Sequence, residues 1–105
     1  GHTKLQGVLR ALSNRHRLTI LTWLLAPEEH FQPQAEADLV EDGVCVCFMT
    51  EKIGLSQPTV TVHLQTLAKA DLLTSKKMKN WVYYKPNRKE VARFLKDIGG
   101  KLNPS

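Results

Sequence analysis

The stretch GLSQPTVTVHLQTL, residues 54–67, contains the best-defined helix start in the chain. Ser56 is a suitable N-cap, because its hydroxyl can accept a backbone N–H of the first helical turn. Pro58 falls in that turn, where the N–H that proline lacks would have no helical partner. Leu55 before the cap and Val60 after it have the spacing of a hydrophobic staple. The stretch therefore predicts a helix that is capped at Ser56.

The predicted helix has two chemically different faces. Val60, Leu64 and Leu67 line one face at helical spacing and suit a buried core. The other face is small, uncharged and mostly hydrogen-bonding, and it consists of Thr61, Val62, Gln65 and Thr66. A helix face that meets only water normally carries Glu and Lys, whereas this set suits base edges and thymine methyl groups. We therefore interpret it as a surface that reads DNA.

The segments around this helix complete a known motif. A short helix from about Cys47 to Ile53, broken at Gly54, forms a helix-turn-helix with it. Downstream, LLTSKKMKNWVYYKP alternates and is rich in β-forming residues, which predicts a two-stranded hairpin. Its tip carries Lys76, Lys77, Lys79 and Asn80. A basic hairpin directly after a helix-turn-helix is a wing.

The two ends of the chain also predict helices. Leu5, Val8, Leu9 and Leu12 recur at helical spacing, and a second helix capped by Ser13 or Asn14 should end before Pro27. A closing helix capped by Asn87 carries Val91, Phe94, Leu95 and Ile98, and we expect it to end at Gly99-Gly100. The fold class is mainly α with a β-hairpin wing, in a single winged helix-turn-helix domain over residues 1–105. The stripes of the first and closing helices are expected to form a two-fold dimer interface.

Residues 26–43, APEEHFQPQAEADLVEDG, form an acidic segment with two prolines and poor periodicity. We expect a mobile loop, inserted between the second and third helices, with one helical turn near residues 35–40. The segment holds six acids and no Lys or Arg, so a chain of net charge +5 carries +11 outside it. Such an excess favours a polyanion, nucleic acid before an anionic membrane. No apolar run is long enough to span a membrane.

The residues resemble one family over nearly the whole chain except the acidic segment. RLTIL at 17–21, the run from Val44 to Leu73 and WVYYKP at 81–86 are similar to the ArsR/SmtB family of winged-helix repressors. The resemblance implies a homodimer on double-stranded operator DNA with an imperfect inverted repeat. It implies base contacts from Gln57, Thr59, Thr61, Val62 and Gln65, and phosphate contacts from Ser56, Lys76, Lys77, Lys79 and Asn80.

The stretch GVCVCF, residues 43–48, resembles the Cys-Val-Cys motif of this family, whose soft thiolates capture arsenite, antimonite or heavy divalent ions such as Cd²⁺ and Pb²⁺. Cys45 and Cys47 would then be the effector site of a repressor that needs no other cofactor. Residues two apart on a helix point about 200° apart, so both reach one ion only if the helix start is irregular or distorted by binding. Thr50 stands where the fullest family pattern has a third cysteine, so a hydroxide or small thiol would complete the coordination.

Other interpretations remain open at this point. Cys45 and Cys47 could be small core residues, or a redox pair, although a disulfide between them would close a very tight ring. The chain could also be an ArsR-type regulator without a metal site, or a dimeric interaction module. The closing helix has no histidine for a zinc or nickel site, and His63 is expected to pack and hydrogen-bond rather than bind metal.

Catalysis and export are not indicated. No nucleophile–base arrangement and no glycine-rich phosphate loop is recognisable, so we expect no enzymatic activity. With two cysteines and no secretory leader at GHTKLQ, we expect a cytoplasmic location.

Overall fold

The computed structural model describes residues 2–104, with side chains for residues 4–104, and this part of the chain contains six helices and three strands. In chain order they are α1 (His2–Leu12), α2 (Arg15–Leu25), α3 (Pro27–His30), β1 (Val44–Cys45), α4 (Val46–Ile53), α5 (Gln57–Lys69), β2 (Leu73–Met78), β3 (Trp81–Pro86) and α6 (Arg88–Lys101). The expected winged helix-turn-helix architecture is confirmed.

Helices α4 and α5 form the helix-turn-helix around a left-handed glycine. Gly54 ends α4 with φ 76°, a conformation that glycine adopts without steric cost. The Ser56 hydroxyl then accepts the backbone N–H of Thr59 at 3.4 Å and caps α5 as predicted. Val60, Leu64 and Leu67 are fully buried, which fixes the opposite face of α5 outward.

The wing is a three-stranded sheet rather than a simple hairpin. Strands β2 and β3 pair antiparallel with Met78 opposite Trp81, so Lys79 and Asn80 form the turn, and the strand order is β1-β3-β2. Lys79 adopts the left-handed conformation in this turn, with φ 56°. Strand β1 was not predicted, because two residues are too few to show strand alternation.

Gly43 allows β1 to approach β3 closely. Its φ is 101°, and a Cβ atom there would lie 2.5 Å from the carbonyl oxygen of Tyr84. Val44 pairs with Tyr84 and Cys45 with Tyr83 directly after this point. The sheet therefore continues up to the first cysteine.

The helical turn of the acidic segment lies at Pro27–His30, so our placement of it at residues 35–40 was wrong. Pro27 favours a first turn, where Glu28 and Glu29 also suit the helix dipole. Within residues 35–40, where we expected the helical turn, the chain forms a tight turn. The Asp38 carboxylate stabilises this turn by accepting the N–H groups of Val40 and Glu41.

Helix α6 also differs from expectation, because it continues through Gly99 and Gly100 to Lys101. Glycine weakens a helix but ends it only where the backbone turns left-handed, and neither residue has positive φ. No residue of α6 is fully buried, and Leu95 is 60% exposed. The helix thus lies at the surface of the protomer.

Arg17 of α2 connects this helix to α1 and α5. Its Nε donates to the carbonyl oxygen of Ala11 at 2.6 Å, and its Nη1 lies 3.2 Å from Nδ1 of His63. Because a guanidinium only donates, His63 accepts through Nδ1. Partial burial, and then the positive charge of Arg17 and the nearby His16, lower the pKa of His63. The expected packing and hydrogen-bonding role of His63 is confirmed.

The burial of α5 gives a direct test of this architecture. Leu64→Ala should lower the free energy of unfolding by about 2–5 kcal/mol, because it leaves a cavity under the helix. The neighbouring exposed substitution Gln65→Ala should change it by less than about 0.5 kcal/mol. Urea unfolding followed by circular dichroism measures both. A loss at Leu64 as small as that at Gln65 would contradict the buried face.

Candidate nucleic-acid interface and cysteine pair

The outer face of α5 is exposed and nearly uncharged. Gln57, Thr59, Val62 and Gln65 are exposed, Val62 to 59%, and Lys69 at the far end is the only Lys, Arg, Asp or Glu of the helix. Thr61 and Thr66 are half-buried, and the Thr66 hydroxyl donates to the carbonyl oxygen of Val62 at 2.9 Å. The residues proposed to read bases thus share one surface, with Thr61 at its margin.

Ser56 and Thr59 at the start of this face are hydrogen-bonded to each other. The Ser56 hydroxyl donates to Oγ1 of Thr59 at 2.9 Å while it accepts the Thr59 N–H. The cap therefore also orients the Thr59 side chain. Both residues are exposed, and the N-terminus of a helix attracts anions such as a DNA phosphate.

The wing lysines differ in their partners. Nζ of Lys76 lies 2.6 Å from Oδ1 of Asp42, and Nζ of Lys79 lies 3.8 Å from Oε1 of Glu36. The hydrogen bond from Lys76 is the main reason that the pKa of Asp42 is lowered. Lys77 is exposed and has no ion pair within residues 2–104.

These contacts show that the acidic segment covers one face of the wing. Successive residues of a strand point to opposite faces, so Lys76, Tyr83 and Lys85 share one face. Asp42 contacts Lys76, and the carbonyl oxygen of Glu41 accepts a hydrogen bond from Lys85 at 3.0 Å. Lys77 lies on the other face. Sequence reasoning missed this arrangement, because Asp42 and Lys76 are 34 residues apart.

Cys45 and Cys47 lie where β1 meets α4. Cys45 is extended, with φ −61° and ψ 139°, and its Sγ caps α4 by accepting the N–H of Cys47 at 3.4 Å. Both cysteines are free thiols, and Cys45 is buried while Cys47 is partly exposed. Because Cys45 stands outside the helix, the 200° separation expected of two helical residues does not apply. The helix start is therefore irregular, which is the condition for Cys45 and Cys47 to bind one ligand together.

The two thiols interact with each other. Burial, followed by the hydrogen bond and the charge of Cys45, raises the pKa of Cys47 to about 11, so this thiol is protonated at neutral pH. Thr50, in the place of a third cysteine, donates its hydroxyl to the carbonyl oxygen of Val46 at 2.9 Å. Among the residues described, no three His, Cys, Asp or Glu side chains are grouped to hold a metal ion.

The two apolar stripes are partly used inside the protomer. Leu5 and Val8 are buried, and Leu12, Val91, Phe94 and Ile98 are half-buried. Helices α1 and α6 are in contact, which accounts for part of this burial. Leu9 and Leu95 remain 41% and 60% exposed. Of the eight stripe residues, these two leucines are the ones most accessible to a second protomer.

None of the helices between residues 2 and 104 is long and apolar enough to cross a lipid bilayer.

Comparisons with known proteins give a consistent result. No protein-family model matches the chain. It is 37% identical over 92 residues to the uncharacterized HTH-type transcriptional regulator YbzH of Bacillus subtilis, a match that spans 85% of this chain and 92% of the relative. It is 29% identical over 102 residues to the arsenical resistance operon repressor of Staphylococcus aureus, spanning 97% and 80% of the two chains.

A solved structure agrees with these relatives. An ArsR-like transcriptional regulator from a Rhodococcus species superimposes with a TM-score of 0.65 and 25% identity, over 97% of this chain and 85% of the other. The names of all three proteins describe transcription regulation, which is not an enzymatic role. The fold, the α5 surface and these relatives show that the chain belongs to the ArsR/SmtB family of winged-helix, DNA-binding transcriptional regulators.

Proposed function

We propose that the protein is a homodimeric repressor that leaves its operator when a trivalent arsenical or antimonial binds Cys45 and Cys47. The observation that supports this most directly is the position of Cys45. The residue ends a strand of the wing sheet, caps the first helix of the helix-turn-helix and has its sulfur within hydrogen-bonding reach of the Cys47 backbone. Two thiols at such a junction suit a ligand that controls DNA binding.

The protonated state of Cys47 favours arsenite over divalent ions. Arsenite reacts as As(OH)₃ with two thiols to form two S–As bonds, and the two thiol protons leave with two hydroxides as two water molecules. The third hydroxide stays on arsenic and completes its coordination. Cd²⁺ or Pb²⁺ must instead release two protons to solvent, which a thiol with a raised pKa opposes. Cadmium and lead are therefore the weaker candidates at neutral pH.

Binding there would act on two elements that contact DNA. A ligand that draws both sulfurs to one atom competes with the hydrogen bond from the Cys47 N–H to Sγ of Cys45. The backbone of Cys45 pairs with Tyr83 in the wing, and α4 packs on α5. The ligand shifts the equilibrium only by its differential affinity for the two states, and a coupling of about 1–3 kcal/mol is typical.

The α5 face and the wing would supply the DNA contacts. We propose that residues 1–105 act as one domain and that the dimer presents its two α5 helices to successive major grooves of cytoplasmic operator DNA. The α5 face reads bases, and the cap and the wing tip bind phosphates. The proposed contact residues are Ser56, Gln57, Thr59, Thr61, Val62, Gln65, Lys76, Lys77, Lys79 and Asn80.

A regulator without a metal site is the second candidate. Cys45 is only 4% exposed and belongs to the hydrophobic core cluster, as a small apolar residue would. In that case the cysteines stabilise the fold and another signal controls DNA binding. The cysteine substitutions below separate the two candidates.

The two DNA surfaces should respond differently to substitution. Gln65→Ala should cost about 1–3 kcal/mol on the operator and little on random DNA, because it removes a contact to a base edge. Lys77→Ala should weaken binding to both and make the plot of log K against log salt shallower by about 0.9, because one phosphate contact is lost. Fluorescence anisotropy at several salt concentrations measures both. If Gln65→Ala weakened both DNAs equally, α5 would not read the sequence.

The exposed leucine of α6 should control assembly. We expect the parent protein to sediment at about 24 kDa, twice the 11.9 kDa of one chain. Leu95→Glu should give monomers, because it places a carboxylate in the apolar contact. Lys96→Glu, at an exposed residue that is not part of the apolar stripe, should remain dimeric. Analytical ultracentrifugation measures all three, and a parent protein that is monomeric at micromolar concentration would refute the dimer.

The cysteines should control release from DNA. Cys45→Ser and Cys47→Ser should each bind the operator as the parent does but should no longer be released by arsenite. Serine at position 45 keeps an oxygen that can cap α4, so folding should survive. Thr50→Cys should lower the arsenite concentration needed, because it restores a third thiolate. Anisotropy titrations of each variant on the DNA upstream of its own gene test this.

The dependence on pH provides the control for the chemistry. Release by cadmium should become easier as pH rises from 6 to 8, because protons must leave the thiols, whereas release by arsenite should change little. If arsenite never releases the parent protein, or still releases both serine variants, the cysteines are structural and the second candidate is correct.

A further inference from the structure

We infer that Asp42 and Glu36 are built-in competitors for DNA: they hold Lys76 and Lys79 in ion pairs that a DNA phosphate must displace, and so weaken binding to every DNA sequence. The inference rests on the proposed contact between the wing and phosphates. It assigns a role to two carboxylates of the acidic segment that the base-reading face does not contact.

The contacts between the segment and the wing are direct. The 2.6 Å pair of Lys76 with Asp42 and the 3.8 Å pair of Lys79 with Glu36 occupy two of the three lysines proposed to bind phosphate. Lys76 and Lys79 keep 52% and 76% of their side-chain surface exposed. A phosphate can therefore reach both ammonium groups, where it competes with a carboxylate for the same cation.

The acidic segment does not need these ion pairs to stay in place. Phe31 and Leu39 are buried in the core. Gln34 accepts the N–H of Cys45 at 2.8 Å and donates to the carbonyl oxygen of Gly43 at 2.9 Å. These contacts hold the carboxylates beside the wing whether or not the lysines are paired. Their effective concentration at the wing is consequently high.

The charge of the segment acts in the same direction as the pairs. It carries six acids and no Lys or Arg, and charges interact over about 10 Å at 0.1 M salt. Exposed ion pairs contribute little to folding, so stability alone does not explain them. A cost that applies to the phosphate backbone affects operator and random DNA alike, because phosphates carry no sequence information.

The test compares two pairs of substitutions within one segment. Asp42→Asn and Glu36→Gln, combined, should tighten binding to operator and random duplexes by about tenfold at low salt, from about two- to fivefold for each. The log K against log salt plot should steepen by about 0.9 for each lysine released. Glu28→Gln with Glu29→Gln removes the same charge from α3, which has no ion pair to a wing lysine, and should change affinity less than twofold.

A double-mutant cycle and a folding control complete the experiment. In a Lys76→Gln, Lys79→Gln background the two acid substitutions should tighten binding less than twofold, because there is no cation left to free and only the general charge of the segment is reduced. Asp42 also accepts the N–H of Asp38 at 2.8 Å, so thermal unfolding is measured for each variant. Glu36→Gln alone, at an exposed carboxylate, tests the same inference without that hydrogen bond.

The outcomes separate this inference from the proposed function. If Lys77→Ala weakens binding but the two acid substitutions weaken it or leave it unchanged, only the competition is overturned. An equal gain from the Glu28 and Glu29 pair would also overturn it, because total charge rather than contact would then be the cause. If Lys77→Ala and the acid substitutions all have no effect, the wing does not bind DNA, and both the competition and the proposed phosphate contacts of the wing fail.

Discussion

The complete burial of one face of α5 is the constraint on which the rest of the structure depends. Val60, Leu64 and Leu67 exclude all solvent, and this fixes the rotation of the helix about its axis. The uncharged residues must then point outward together, as a surface that hydrogen-bonds but does not repel a polyanion. The left-handed turn at Gly54 and the cap at Ser56 place the start of that surface. A ligand of the kind proposed would therefore act on DNA binding through elements that contact α5.

Cys45 connects such elements because it belongs to two of them. Its backbone continues the wing sheet and its sulfur caps α4. A cysteine in the middle of a helix would belong to one element only. The side chain two residues later would point to a different face of the helix. Here the strand-to-helix transition brings two thiols together without a special loop. The same transition leaves Cys47 protonated and half-covered, which suits a ligand that exchanges hydroxide for thiol.

Local features were predictable from the sequence, and contacts between distant segments were not. The cap and stripe of α5, the wing strands and the start of α6 follow from residues within a few positions of each other. Strand β1 exists because Tyr83 and Tyr84, far along the chain, supply its partner. The pairing of Lys76 with Asp42 likewise depends on how the chain folds back. At the wing tip Lys79 rather than Asn80 turns left-handed, since pairing of the flanking strands overrides the residue's own preference. In α6, helical hydrogen bonds persist through two glycines that their type alone would mark as an end.

Gly43 has a consequence for how this chain can vary. A methyl group there would meet the Tyr84 carbonyl oxygen, so the last residue of the acidic segment cannot change without moving β1 away from the wing. Exposed positions earlier in the segment, such as Gln32 and Ala35, carry no such limit. A library of substitutions across residues 26–43 should thus show tolerance at the exposed positions and little at Gly43 or at the buried Phe31 and Leu39. Diversity among natural homologues would be filtered in the same way, with the exposed positions of α3 and its flanks free to drift while the final glycine is retained.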